Sequence, residues 1–307
     1  MLCCESFSIT DIGNKREVNQ DSYVALDDYK NTNMGLYCVA DGMGGLTEGE
    51  YASRLATQKT IEWYRERYSL FTKKNVKKNI RKELEALFYN INTKIYLYGR
   101  ERNIRLGTTY SLILIIGNRY YAVHAGDSRI YLKKEDELFI VSKDETWVNE
   151  QVEKGLMTME EALTHNKKNV LVNCLGYFNS PSISIGEGEI GNEDTFLLCS
   201  DGFYNYTDNS EIFNLLSEEN KEEHLKNIVE DIKKKRRQRQ YNSCYCCCQR
   251  RGSYCIGGCY MTNELLFYGG IAICVSAVVL ELIFIICHII KKIKLSKIFD
   301  KEYGREE

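Results

Sequence analysis

A single proline, Pro181, stands in the 307-residue sequence. Proline-rich linkers are therefore excluded, and the turns must be built from Gly, Asn and Asp. Histidine occurs only four times, and His124 alone lies near an acidic motif, so the imidazole supply suits a zinc hydrolase poorly. An excess of one charge is also missing. The 41 Lys and Arg against 43 Asp and Glu leave a net charge of -2, without the basic balance of a nucleic-acid binder, so no nucleic-acid partner is expected. The opening Met1-Leu-Cys-Cys-Glu-Ser lacks a basic segment leading into an apolar one, so no secretory signal is expected and the N-terminal domain is assigned to the cytosol. No Walker-type loop occurs, which removes the usual phosphate cradle of a nucleotide-binding fold.

With 44% hydrophobic and 27% charged residues, the chain is globular in composition. One continuous domain is expected over residues 1–250. The exception is residues 265–290, LLFYGGIAICVSAVVLELIFIICHII, long and apolar enough to be read as one transmembrane helix. An ionised, unpaired Glu281 at its middle would cost roughly 2.5 kcal/mol or more, so this side chain should be protonated or face a partner helix. A short charged tail, 291–307, follows. Ahead of the span, residues 233–264 form a juxtamembrane segment overlapping the last strand of the domain. It holds the basic run from Lys233 to Arg239, which could touch anionic headgroups or be a solvated helix end. It also holds Cys244, Cys246, Cys247, Cys248, Cys255 and Cys259, which could be acylated or bind zinc; their spacing fits no paired Cys-x-x-Cys pattern, so acylation or membrane-proximal filler ranks above zinc. Cys38, Cys174 and Cys199 lie in apolar strand-like runs and read as buried free thiols.

Strands are expected at 36–40, 110–116, 120–125 and 195–199, all rich in β-branched and aromatic residues. Gly117-Asn118 between two of them signals a hairpin, so part of the sheet is antiparallel. Residues 73–99 carry Val76, Ile80, Leu84, Leu87, Phe88, Ile91, Ile95 and Tyr98 at helical spacing. A second helix is expected from Thr47, with Glu50 completing a capping box and Ala52, Leu55, Ala56 and Trp63 facing inward. The class is α/β.

Three aspartates end apolar runs: Asp41 after LYCVA, Asp127 after YYAVHAG and Asp201 after TFLLCS; Asp21 follows Asn19-Gln20. A carboxylate at a strand end is held by a rigid sheet yet reaches its rim. Several together make the all-oxygen site that Mg²⁺ or Mn²⁺ prefers. One such aspartate is more often a turn or cap residue, but three strand-ending Asp-Gly or Gly-Asp pairs make that reading a poor account.

Six pieces in order resemble the metal-dependent serine/threonine protein phosphatase family (PPM, type 2C), bacterial type. They are Arg16-Glu-Val-Asn-Gln-Asp21, Val39-Ala-Asp-Gly-Met-Gly-Gly45, Gly107-Thr-Thr109, Ala125-Gly-Asp-Ser-Arg129, the stretch 144–176, and Cys199-Ser-Asp-Gly202. The resemblance implies two antiparallel β-sheets packed as a sandwich and flanked by α-helices. It further implies that Asp41 bridges two metal ions (Mg²⁺ or Mn²⁺), that the Gly42 carbonyl binds one, that Asp201 holds the other, and that Asp127 with Asp201 can hold a third. Asp21 would support the first metal through water, and Arg16 would bind the phosphate with its planar fork. Water held between two metals would attack phosphorus in line, without a phosphoenzyme. Residues 144–176, with Lys154, Gly155, His165 and Asn169, resemble the family's flap, which touches substrate.

The family usually closes with an Asp-Asn pair whose Asp ligates the second metal; here Tyr241-Asn242 takes that place, before a last strand at 243–249. Two functions are therefore expected. One is a membrane-anchored phosphatase acting on phosphoserine and phosphothreonine proteins opposite a serine/threonine kinase, its catalytic domain cytoplasmic. The other is a weakened or inactive phosphatase-like module that binds phosphoproteins at the membrane.

Overall fold

A computed structural model describes residues 2–12, 18–27, 33–44, 48–71, 79–235 and 243–252. All of them fall in the first of two units, Met1–Tyr254; the second, Cys255–Glu307, lies outside the described residues, and with it the 265–290 span. Among the described residues no helix is long and apolar enough to cross a membrane.

Two antiparallel sheets make the body of the first unit. One runs in the order β1 (Leu2–Asp11), β11 (Ser243–Gly252), β10 (Thr195–Cys199), β7 (Arg129–Lys134) and β8 (Glu137–Ile140). The other runs β2 (Asp21–Asp27), β3 (Met34–Gly44), β5 (Tyr110–Ile116), β6 (Arg119–Ala125) and β9 (Ser184–Glu189), with the short β4 (Leu106–Thr108) paired to the end of β3. The expected hairpin joins β5 to β6 through Gly117, whose φ of 64° supplies the left-handed residue of the turn.

The near-continuous apolar strands follow from burial on both faces. Along β3, Tyr37 and Val39 point with Ile113 and Ile115 into the space between the sheets, where they meet Ile130, Phe196 and Leu198. The alternate residues Leu36, Cys38 and Ala40 turn outward with Leu112 and Leu114 onto α1 (Glu48–Phe71) and α2 (Ile80–Arg102). The second sheet repeats the device. Leu197 and Cys199 face Ile212, Leu215, Leu225 and Val229 of α6 (Asn209–Ser217) and α7 (Lys221–Lys235). A period-2 strand with both faces covered has no polar side, and each fully buried Leu or Ile contributes about 1.5–3 kcal/mol.

Several boundaries differ from the sequence expectation. The helix expected over 73–99 is described from Ile80 as α2 and continues to Arg102, where Asn103 adopts the left-handed conformation (φ 54°) and its N–H closes the end. Val76 lies outside the described residues, as does Thr47 with its capping box. Asn92, polar and unmarked in the apolar stripe, is buried: its amide reaches the Phe178 and Asn179 carbonyls and accepts from Gly176 N–H. Cys174 is a buried free thiol but sits in an irregular return loop, not in a strand.

Candidate active site

Asp21 and Asp41 stand opposite each other in the β2–β3 register, which brings two carboxylates to one end of one strand pair. Asp127 follows β6, and Asp201 opens the short helix α5 (Asp201–Tyr204) after β10. The two sheets therefore deliver their aspartates to a common rim.

Hydroxyl groups lock the backbone beneath them. Asp41 N–H donates to Thr109 Oγ1 at 2.8 Å; Thr109 N–H and the Thr108 hydroxyl donate back to the Asp41 carbonyl at 2.9 and 3.0 Å. Thr109 Oγ1 lies 2.7 Å from Ser128 Oγ, beside Asp127, and the Ser111 hydroxyl donates to the Ser128 carbonyl at 2.7 Å. Across the sandwich the Ser200 hydroxyl, beside Asp201, donates to Asp21 Oδ2 at 2.8 Å. Gly42 donates its N–H to the Gln20 carbonyl, and a Cβ there would fall 2.0 Å from the Gly49 carbonyl oxygen at the start of α1. Only glycine permits that approach.

The electrostatics identify the set. Burial first, then the like charges of Asp21, Asp201 and Asp127 together with a hydrogen bond to Asp21, hold the Asp41 carboxyl well above the ordinary carboxylate range. Asp127 is raised by burial, then by Asp201 and Asp144. Like charges gathered in a partly desolvated place are destabilised when ionised, and a hard divalent cation relieves that strain with an all-oxygen donor set. The residues therefore fit Mg²⁺ or Mn²⁺. Among the described residues no three His, Cys, Asp or Glu side chains are drawn together tightly enough to hold one ion by themselves.

The flap carries α3 (Trp147–Glu153) and α4 (Met159–Thr164) and is tied down at both ends, through Thr146↔Leu171 and Thr108↔Leu175. Lys154 pairs with Glu150 at 2.6 Å, His165 stacks on Trp147 at 5.0 Å, and Asn169 is exposed near the start of the return. Gly155 ends α3 at φ 69°. Arg16 and Tyr241 lie outside the described residues.

Sequence reasoning assigned no role to Ser111, Thr109, Ser128, Ser200, Glu145 or Asn173. Ser128 and Ser200 were findable in part, since each directly flanks Asp127 or Asp201 in sequence. Glu145 and Asn173 had no such signal; they meet only because the flap returns, at 2.7 Å.

An α/β sandwich with helices on both outer faces and an acidic rim where its two sheets meet defines a class of divalent-cation hydrolase. The comparisons are more specific. Residues 13–242 match the family model described as protein phosphatase 2C. The chain is 32% identical over 212 residues to protein phosphatase PhpP of Streptococcus pneumoniae, covering 68% of this chain and 82% of that one. It is 30% identical over 209 residues to serine/threonine phosphatase stp of Listeria welshimeri, covering 67% and 81%. Among solved structures, the Mycobacterium tuberculosis serine/threonine phosphatase PstP/Ppp superposes with a TM-score of 0.70 at 26% identity, covering 81% of this chain and 100% of that one. The PstP catalytic domain in complex with two manganese ions superposes at 0.67 with 27% identity, covering 82% and 100%. The chain belongs to the protein phosphatase 2C family, the metal-dependent protein phosphatases that use Mg²⁺ or Mn²⁺.

Proposed function

We propose that the chain removes phosphate from phosphoserine and phosphothreonine on proteins, with Asp21, Asp41, Asp127, Asp201 and the Gly42 carbonyl as its metal donors and Arg16 as its phosphate-binding group. The observation that carries the assignment is the gathering of the aspartates of both sheets at one rim, where Asp21 faces Asp41 in the β2–β3 register and Ser200, beside Asp201, bonds Asp21. When bound, Mg²⁺ or Mn²⁺ supplies Lewis acidity, activating water and neutralising charge on the phosphoryl oxygens. The residues of the chain supply position. Thr108 and Thr109 fix the Asp41 backbone, Ser128 and Ser111 fix the Asp127 turn, and Ser200 aims Asp21, so the carboxylates need little reorganisation. A guanidinium at Arg16 would hold two phosphoryl oxygens at once. The flap, with Lys154, His165 and Asn169, would meet the protein part of the substrate.

The test uses the full-length chain, Mn²⁺ and a phosphothreonine peptide. Wild type should turn the peptide over, and the Asp41→Ala/Asp201→Ala double variant should not. Equal rates would end the enzymatic reading. They would favour the second one, a phosphoprotein-binding module, which is motivated by Tyr241 where the family expects a carboxylate. Weak affinity at the second metal is the milder consequence of the same tyrosine.

Residues 265–290 are assigned as a single membrane span that holds the domain at the cytoplasmic face, beside a serine/threonine kinase and lipid. Their hydropathy supports the span, and Arg250 and Arg251 on the domain's side of it, with the free cysteines, support the side. Lys291, Lys292, Lys294 and Lys297 pull the other way, since they favour a cytosolic tail and one span puts tail and domain on opposite sides; protease protection of a C-terminal tag in intact cells would overturn the topology.

A further inference from the structure

The aspartate chemistry leaves one basic feature unused. At the C-terminal end of α2 a cavity of about 440 Å³ is walled by Tyr96, Arg100, Asn103, Arg105, Leu106 and Tyr177, among others. Arg100 donates to the Tyr96 hydroxyl at 3.4 Å and Arg105 to the Tyr177 hydroxyl at 3.2 Å. Their guanidinium carbons stand 5.9 and 5.8 Å from those same rings. Among the described residues no carboxylate is paired with either one. A guanidinium offers five N–H donors in a planar fork, so one phenol oxygen leaves most of each fork available. The opposing charge of the helix end is largely spent within the chain, since Asn103 and Ile104 N–H groups cap the Arg100 and Gly99 carbonyls.

Position gives the cavity its meaning. A Cβ built on Gly44 would stand 3.3 Å from the Arg105 carbonyl oxygen, and one on Gly107 would stand 3.2 Å from Tyr177 Cβ. The cavity therefore backs onto the strand ends that carry Asp41 and the Thr108–Thr109 lock. Three residues of extended β3 separate Asp41 from Gly44, roughly 10 Å, the span of about three residues in an extended substrate.

We propose that this cavity binds a second oxyanion of the phosphoprotein, a glutamate or aspartate carboxylate or another phosphoryl group, about three residues from the phosphoserine or phosphothreonine being hydrolysed. Two forks flanked by tyrosine rings suit a planar or tetrahedral oxyanion. The proposal rests on the phosphatase reading and adds a substrate preference to it.

The experiment compares three phosphothreonine peptides with the full-length chain and Mn²⁺: neutral flanks, a glutamate three residues away on either side, and a phosphoserine at those same places. Wild type should favour an anionic peptide by roughly tenfold in kcat/KM, through KM, as charge-assisted hydrogen bonds would predict. The Arg100→Gln/Arg105→Gln variant, both positions being exposed, should bring that ratio close to one with unchanged thermal unfolding. The better of the two anionic arms identifies the group bound. The same ratios are read as Kd by anisotropy of labelled peptides, which needs no turnover. Binding preference without hydrolysis would uphold the cavity and sink the phosphatase reading. Equal Kd for all three peptides, or a preference that survives both substitutions, would overturn the proposal.

Discussion

Gly126 and Glu145 are bonded to each other twice: Glu145 N–H donates to the Gly126 carbonyl at 2.8 Å, and Gly126 N–H donates to Glu145 Oε2 at 2.9 Å. The same Oε2 accepts from the Asn173 amide at 2.7 Å, and Asn173 also binds Ser182 through its amide nitrogen and oxygen. One carboxylate thus ties the Asp127 turn to both ends of the flap.

Replacing Glu145 by alanine should strand the Gly126 N–H and the Asn173 amide, at a cost of about 1–3 kcal/mol. Glutamine keeps an acceptor at the same reach and should lose less. Guanidinium unfolding reads the stability, and kcat at saturating Mn²⁺ should fall with the alanine variant more than with the glutamine one. Equal behaviour of the two variants would mean the carboxylate is not the tie.

Thr109→Val keeps the shape of the side chain and removes the oxygen that Asp41 N–H uses. A buried N–H left without its acceptor costs about 1–3 kcal/mol, and the loosened Asp41 should weaken Mn²⁺ binding. Calorimetric titration with Mn²⁺ checks this. Thr109→Ser, which restores the oxygen, should recover most of the affinity.

His124 is buried, with Nε2 near the Gly126 and Lys143 carbonyls at 3.0 and 2.9 Å and Nδ1 at 3.0 Å from Ser111 Oγ. Burial lowers its pKa below the usual 6.5, against the raising effects of Glu145, Asp144 and the two carbonyls. The unfolded chain therefore binds this proton more readily than the folded one, and stability present above about pH 6.5 is lost as pH falls below it. Thermal midpoints should drop as the pH falls below about 6.5. His124→Asn should be less stable at neutral pH and show a flatter slope across that window.

Mn²⁺ should stabilise the folded state by about 2.7 kcal/mol at a hundred times its Kd. Chelation should remove the whole of that gain. Differential scanning fluorimetry should find the shift in wild type and none in the Asp41→Ala/Asp201→Ala variant.

Much of the fold was legible along the chain. The strand runs at 110–116 and 195–199 coincide with β5 and β10, and the Gly117-Asn118 turn joins its two strands as its dipeptide requires. These features are local, because a turn residue or a run of β-branched side chains acts through its own backbone. The flap residues were less legible. Lys154 and His165 were placed on the flap by resemblance, but the groups they meet there, Glu150 and Trp147, follow from no local pattern. Their partners depend on how a short helical hairpin packs.

By itself the sequence determined which carboxylates end apolar runs, that their chemistry is all oxygen, and the family to which six ordered motifs belong. It also carried the apolar 265–290 stretch and the tyrosine at 241. Only the tertiary structure decided that burial and neighbouring carboxylates raise the pKa of Asp41 and of Asp127, that Thr109 and Ser128 join two aspartate turns, and that Glu145 binds the flap to one of them. Those relations join residues far apart in the chain. Long-range hydrogen bonds and the repulsion between like charges depend on distances that no local pattern encodes, and closure of the two sheets sets them.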